Sequence, residues 1–281
     1  RELIQFIISV HSLWQDSLIS RGAHIEAGEV AHFGAPQDEL HAALSGPVLA
    51  DLSHFALIEA SGAQAREFLN NQLTNDVAQL SDGRAMYAGY CSPKGRLLAN
   101  FLLWQMKPDG PFILQLDAGL RESVHKRLNM YVLRAKVRLA EASEQFACLG
   151  LSGAGAGDLL RSSVGQPAAN TMGIARFGEV LVVTLDVDRY EIVLPAAQAC
   201  SLWDTLAVRA RPVGPPVWRW FDVRAGVPWI SPRTQDQFVP QMANFDRIGA
   251  LAYGKGCYPG QEIVARTHYL GRLKRRMYVG H

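Results

Sequence analysis

Long apolar runs, paired cysteines and a strong net charge are all missing from this chain of 281 residues. No stretch approaches the roughly 20 apolar residues that a membrane-spanning helix needs. The run Ile4-Gln5-Phe6-Ile7-Ile8 is short, is broken by a polar residue and lacks the cleavage pattern of a signal peptide. No membrane role is expected, and the cytoplasm is the default compartment, or the mitochondrial matrix if the source is eukaryotic. The chain begins at Arg1 rather than Met, so a few preceding residues are expected. The four cysteines, Cys91, Cys148, Cys200 and Cys257, stand far apart, with no CxxC or Cys/His spacing that would preform a zinc or cluster site. Unpaired thiols suit a reducing compartment. One cysteine cannot hold an iron–sulfur cluster by the usual four thiolates, so no stoichiometric metal or cluster is expected. The formal net charge of +2 is too small to argue for a nucleic-acid partner. The basic run Arg272, Lys274, Arg275, Arg276 reads as a solvated face, and direct nucleic-acid binding is not expected.

What is present is apolar content of 48%, enough for a sizeable core and, at this length, about two domains. Residues 1–47 read as a helical or irregular lead-in. In a first α+β domain, 48–145, Phe55 to Ala60 reads as a buried strand and Ser61-Gly62-Ala63-Gln64 as a capping box before a helix carrying Ala65, Phe68, Leu69 and Leu73. Thr74-Asn75-Asp76-Val77 should stop that helix through side chains that bond their own backbone. Two strands follow, joined by a tight hairpin at Ser92-Pro93-Lys94-Gly95-Arg96. A second α+β domain, 146–212, repeats a similar order of elements. Its Gly153-Ala154-Gly155-Ala156-Gly157 fits neither nucleotide-loop pattern and reads as a helix entry. Arg211-Pro212-Val213-Gly214-Pro215-Pro216 reads as a stiff linker to a last segment, 213–281. Antiparallel strands with helices at this spacing define an α+β class.

The most informative stretch is Lys255-Gly256-Cys257-Tyr258-Pro259-Gly260-Gln261-Glu262. Pro259 suits a first helical position, Glu262 a first turn, and Ile263, Val264, Thr267 and Leu270 recur on one helical face, with Gly271 just past the end. The same letters also fit a type II turn with Pro259 and Gly260 at its centre. A thiol beside a lysine and a helix start is an environment that favours thiolate, which is the form that attacks and binds metal. The plainer reading is a small buried cysteine.

KGCYPGQEIVAR, preceded by Phe238-Val239-Pro240-Gln241-Met242-Ala243-Asn244 and followed by Gly271-Arg272-Leu273-Lys274-Arg275-Arg276, closely resembles the signature of the YgfZ family. These are folate-binding proteins linked to iron–sulfur cluster assembly and tRNA modification, related in fold to the T-protein of the glycine cleavage system. Secondary matches are Asn71 to Val77 and the hairpin at 92–96. The resemblance implies a T-protein-like fold of mixed and antiparallel sheets with helices around a central folate-sized opening. It also implies a C-terminal β-barrel after the signature, so that the chain looks truncated there. The implied cofactor is tetrahydrofolate or a derivative, and the implied partners are iron–sulfur clients such as radical tRNA-modifying enzymes.

By the same resemblance Cys257 is the reactive thiol and Lys255 its electrostatic activator. Gly256 and Gly260 give backbone access, Gln261 and Glu262 fix the loop or meet a partner, Tyr258 is a ring contact or packing residue, and Arg266 belongs to the motif. Glu191 matches a pterin-facing glutamate, with a charge on an exposed strand edge as the plain alternative. Phe55 and Trp218 match ring contacts, or are ordinary core. The T-protein aspartate that assists aminomethyl transfer is replaced here by Asn100, whose amide cannot ionise, so aminomethyltransferase activity is not expected. Two functions remain open: a folate-binding factor for assembly or repair of iron–sulfur clusters that supports tRNA thiolation, and a folate-dependent one-carbon transferase.

Overall fold

The computed structural model describes residues 10–271 and 273–280, with only the backbone for residues 10–12. The apolar run at 4–8 and Arg272 lie outside the described residues. The chain divides into two compact units, and neither is a continuous stretch: residues 1–53 join 142–218, and residues 54–141 join 219–281.

The first unit is built on a six-stranded sheet in the order β10-β11-β12-β9-β3-β13. Its strands are β3 (Val48–Asp51), β9 (Phe146–Ser152), β10 (Ile174–Phe177), β11 (Val180–Asp186), β12 (Arg189–Pro195) and β13 (Arg211–Val213). All neighbours are antiparallel except β13 on β3. One sheet face carries Leu49, Leu149, Leu151, Ile192 and Leu194, and it packs with side chains of α1 (Val10–Ser20), α5 (Ala156–Ser163) and α6 (Ala199–Ala207) into one hydrophobic cluster. The alternation of strand side chains puts every second residue there. The lead-in is thus part of this core: Trp14 and Leu18 are buried, and Trp14 donates its indole N–H to Asp51 at 2.9 Å. A small hairpin, β1 (His24–Glu26) with β2 (Glu29–His32), and α2 (Pro36–Ser45) complete it.

Of two local expectations in this unit, one is corrected and one is met. The stretch at 211–216 is no linker: Arg211 to Val213 pairs with Val48 to Ala50, and Pro215 begins α7 (Pro215–Ala225), which runs on into the other unit. Proline is tolerated there because β13 is an edge strand, where a missing N–H leaves no ladder bond unmade. The glycine-rich loop at 153–157 does turn into a helix, and its amides are already used, since Gly157 N donates to Asp188 Oδ1 at 2.9 Å. An internal carboxylate therefore fills the place where a phosphate reading would have put a ligand.

The second unit holds a five-stranded antiparallel sheet in the order β5-β6-β7-β4-β8. Its strands are β4 (Phe55–Ser61), β5 (Met86–Cys91), β6 (Leu97–Gln105), β7 (Phe112–Asp117) and β8 (Arg138–Glu141), with α3 (Ala65–Gln72), α4 (Arg121–Val132) and α8 (Gln261–Tyr269). The expected capping box does not form. Gln64 sits at the N-cap of α3 without a side-chain cap, because its Oε1 accepts from Lys136 N at 2.8 Å. The end of α3 is set partly at long range: Thr74 Oγ1 donates to Ala250 O and Asn75 Nδ2 to Gly249 O, while Asp76 accepts locally from Ala78 N. Both sheets are open, and no closed barrel is present among the described residues. The α+β class and the mixed and antiparallel sheets are as expected.

Candidate functional site

The motif around Cys257 is assembled from two turns that pack on each other. Tyr258 to Gln261 forms the type II turn, closed by Gln261 N donating to Tyr258 O at 3.1 Å, with Gly260 at φ 80° and ψ 3°. The helix follows at Gln261, so Pro259 precedes it and is not its first residue. Against this turn lies the hairpin at 92–96, where Gly95 N donates to Ser92 O at 2.8 Å. The backbones touch so closely that a Cβ on Gly260 would stand 2.5 Å from Ser92 O and 2.6 Å from Gly95 Cα. The segment before the motif is held on the same hairpin: Leu97 N donates to Phe238 O, Asp236 N to Leu97 O, and Ser92 Oγ to Asp236 Oδ1. Gln241, also buried, donates to Val264 O of α8 at 2.7 Å.

Within this frame the motif residues separate sharply. Tyr258 is buried, and burial together with nearby Cys91 and Tyr253 pushes its phenol pKa up. Cys257 and Gly256 are exposed, which removes the buried-cysteine reading. Lys255 points into the protein, where its ammonium donates to the backbone carbonyls of Asn70, Leu73 (2.7 Å) and Asn75 (2.8 Å), with the Tyr258 ring 5.3 Å away. Burial lowers its pKa to about 8, opposed by Asp76. The structure therefore gives the lysine's charge a set of carbonyl partners, where the sequence had suggested the thiol. Gln261 Nε2 reaches back to the Lys255 carbonyl at 3.4 Å. Glu262 and Arg266 pair with each other at 2.8 Å on the exposed side of α8, an i,i+4 bridge worth little. Of the expected apolar face of that helix, Val264 is buried and Ile263 packs half-buried on Gly95, while Leu270 is 86% exposed.

The second unit also contains a cavity of about 1110 Å³, which Cys257 does not line. Its aromatic wall is made by His54, Phe55 and Trp229. Phe55 stands 4.2 Å from His54 and 4.4 Å from Trp229, ring centre to ring centre. Asp117 and the buried Asp222 add carboxylates to the lining, while Arg219, Arg233, Lys274 and Arg275 add cations. Arg276, also in the lining, is engaged by Asp246 at 2.8 Å and by Asn244. Burial alone would raise the Asp246 pKa, but bonds from Arg276 hold it low. The Nε1 of Trp229 is a buried donor without a hydrogen-bond partner, an arrangement that costs free energy unless something occupies it. Of this wall, sequence reasoning found only Phe55. Trp229, in Val227-Pro228-Trp229-Ile230, sits in a segment with no periodic pattern, and Asn100 places it by donating to Pro228 O at 2.9 Å and accepting from Ile230 N at 2.7 Å.

Glu191 and Trp218 belong to the first unit. Glu191 is 2% exposed on an interior strand, so the exposed-edge alternative is corrected. It shares a sheet face with Cys148 and Arg189, and the Cys148 thiol is pushed well up by burial and then by the Glu191 carboxylate. Trp218 is packed flat on Gly150, where a Cβ would come within 2.5 Å of its ring, and the Arg189 guanidinium lies 4.6 Å from its ring centre. Among the described residues no group of three or more His, Cys, Asp or Glu side chains is placed to hold a metal ion, and no helix is long and apolar enough to cross a membrane.

The fold so described is that of the glycine-cleavage T-protein class: the GCVT N-terminal domain matches residues 23–216. The glycine cleavage system aminomethyltransferase T of Bartonella henselae superposes with a TM-score of 0.78 at 20% identity, covering 92% of this chain and 74% of that one. Among curated proteins, the tRNA-modifying protein YgfZ of Pectobacterium carotovorum is 31% identical over 246 residues, 87% of this chain and 73% of that protein. The protein of the same name from Colwellia psychrerythraea is 29% identical over 232 residues, 82% of this chain and 70% of its own length. The chain belongs to the YgfZ family.

Proposed function

We propose that this protein binds a reduced folate and uses the exposed Cys257 thiol to assist assembly or repair of iron–sulfur clusters in client proteins, and thereby supports tRNA modification. The observation that carries the folate part is the cavity of the second unit. Its volume of about 1110 Å³ is just above the range of about 300–1,000 Å³ for small-molecule sites, so it has room for a ligand of that class. A pterin is flat and rich in N–H groups. The Phe55 and Trp229 rings supply the apolar wall for it, Asp222 and Asp117 supply acceptors, and the unpartnered indole N–H offers one donor. The carboxylates of a folate tail suit the cations at 219, 233, 274 and 275. The residues present therefore fit the ligand class. Bound tetrahydrofolate would supply the chemistry of a reduced one-carbon carrier.

The chain's own residues do the rest. Exposure leaves the Cys257 sulfur open to a client, and the turn at 258–261 fixes the loop from which it projects. The segment at 240–244 supports a connection between cavity and motif, since Met242 and Ala243 line the cavity while Gln241 donates to Val264 O of α8. The name carried by the relatives, tRNA-modifying protein, supports the tRNA end of the reading. The transferase alternative is disfavoured by Asn100, which is a neutral amide already bonded at both ends.

Three measurements test this. Calorimetry of the whole chain with tetrahydrofolate should show binding that Phe55→Ala weakens roughly tenfold, through loss of an aromatic face; an absence of binding by the wild type overturns the folate part. Complementation of a deletion strain, scored on a radical iron–sulfur tRNA-modifying enzyme, should fail with Cys257→Ala, and equal rescue overturns the thiol part. Product formation from a methylene-folate donor would turn the reading toward the transferase.

A further inference from the structure

Helix α3 ends without any of the usual means of closing a helix C-terminus. Its last turn contains no basic residue, and its cap, Leu73, is extended at φ −104° and ψ 157°, with no left-handed glycine after it. The last carbonyls of a helix lack intrahelical donors and carry the negative end of the macrodipole, so a cation or donor placed there is stabilising. The missing donor comes from far along the chain. Lys255 Nζ reaches the carbonyls of Asn70, in the last turn, of Leu73 at the cap and of Asn75 just beyond, across about 180 residues of sequence. An ammonium has three protons, and here each has an oxygen. The Tyr258 ring, its centre 5.3 Å from the nitrogen, adds a cation–π contact.

The two residues between these anchors are Gly256 and Cys257, both exposed. Gly256 makes no approach that a Cβ would disturb. The loop at 256–257 is therefore pinned at Lys255 on one side and at the buried Tyr258 and its turn on the other, with the thiol projecting from the short span between.

We infer that Lys255 is a positioning residue, whose ammonium docks the Cys257 loop on the C-terminal end of α3 and so fixes where the sulfur is presented, without activating the thiol by its charge. This builds on the reading of Cys257 as the functional thiol, and its test separates the two.

The experiment uses the whole chain as wild type, Lys255→Met and Lys255→Arg. Hydrogen–deuterium exchange of peptides covering 250–262 and 65–76 reports anchoring, and the pH profile of Cys257 alkylation, followed by mass spectrometry of its peptide, reports the thiol. In Lys255→Met, exchange at the loop and at the end of α3 should rise by on the order of tenfold, as expected for loss of about 1.4 kcal/mol of anchoring. The alkylation midpoint should stay within about 0.3 pH units of wild type, a readout that charge activation would move. Lys255→Arg, which keeps a cation with several donors, should restore most of the protection. Unchanged exchange in Lys255→Met overturns the proposal, and so does a midpoint raised by about one unit or more. If Lys255→Met fails to fold, Lys255→Gln, which is neutral and keeps amide donors, decides by the same two readouts against wild type: protection kept above half with an unmoved midpoint supports anchoring, and a midpoint raised by about one unit or more refutes it. Equal rescue by Cys257→Ala in the complementation assay would remove the thiol's function while leaving the exchange result intact.

Discussion

Two glycines placed two residues to either side of Tyr258, Gly256 and Gly260, look equivalent in the motif and are opposite in the structure. Gly260 has a left-handed backbone and is in contact with another turn's backbone. Gly256 has neither, and open space surrounds the position its Cβ would take. The motif is therefore two things joined end to end: a packed scaffold at 258–261 and an exposed presenting loop at 256–257. The same contrast separates the lysine from the cysteine, since Lys255 is committed to carbonyls and Cys257 is open.

The largest effect should come from breaking the scaffold half. Gly260→Ala must place a side chain in a left-handed conformation, at a cost of about 1–2 kcal/mol, and must push Ser92 and Gly95 backbone away, for about 1–3 kcal/mol more. A loss of roughly 2–5 kcal/mol in denaturant melts is expected. A loss under about 0.5 kcal/mol would show that the two turns are not held together as described. Lys255→Met should come next. It removes an ammonium from three carbonyls at a helix end, and a loss of about 1–3 kcal/mol is expected, read in the same melts.

How much of this was legible before the structure depends on the range over which each feature is decided. The strand at Phe55 and the hairpin at 92–96 were readable because side-chain pattern and turn residues act within a few positions. The turn at 258–261 was readable as one of two alternatives, and both proved to be present in succession. What failed depended on distant partners. Arg211 to Val213 becomes a strand only because β3 offers an edge more than 150 residues earlier. Gln64 abandons its capping role because Lys136 N is near. The charge of Lys255 looked adjacent to the thiol in sequence, yet the carbonyls that take it belong to residues 70, 73 and 75. At the candidate cavity, Phe55 was found through resemblance, whereas Trp229 gave no local signal because a hydrogen-bonded clamp from Asn100 sets its place.

A smaller effect follows from the lysine's titration. Burial holds the folded pKa near 8, below the ordinary value of 10.5, so between these values the unfolded state binds the proton that the folded state has released. Stability that depends on this group therefore rises as pH climbs from about 8 to 10.5 and is absent as a gain below 8. Partial exposure screens the interaction, and the rise should be on the order of 1 kcal/mol. Melts of wild type and Lys255→Met across that window check it, with the wild type's advantage widening toward high pH because only the wild type has the upward slope. A wild-type slope no steeper than that of the variant would mean that the three carbonyl bonds outweigh burial and keep the ammonium charged.

The smallest effect should be at Gly256, and it is the sharpest check on the comparison. A methyl group there meets no heavy atom within 4 Å, and the backbone is not in the left-handed region, so neither packing nor strain opposes Gly256→Ala. Stability should stay within about 0.5 kcal/mol of wild type. The loop's two anchors, Lys255 and Tyr258, are untouched, so exchange at 250–262 should also match wild type. Any change must then arise outside the fold, from a partner that approaches the thiol closely enough to feel one added carbon. Under the proposed function, complementation by Gly256→Ala thus reads a client's approach alone: full rescue would mean that such a client leaves room around the backbone, and loss of rescue with unchanged stability and exchange would put a docking contact at this exposed pair of residues.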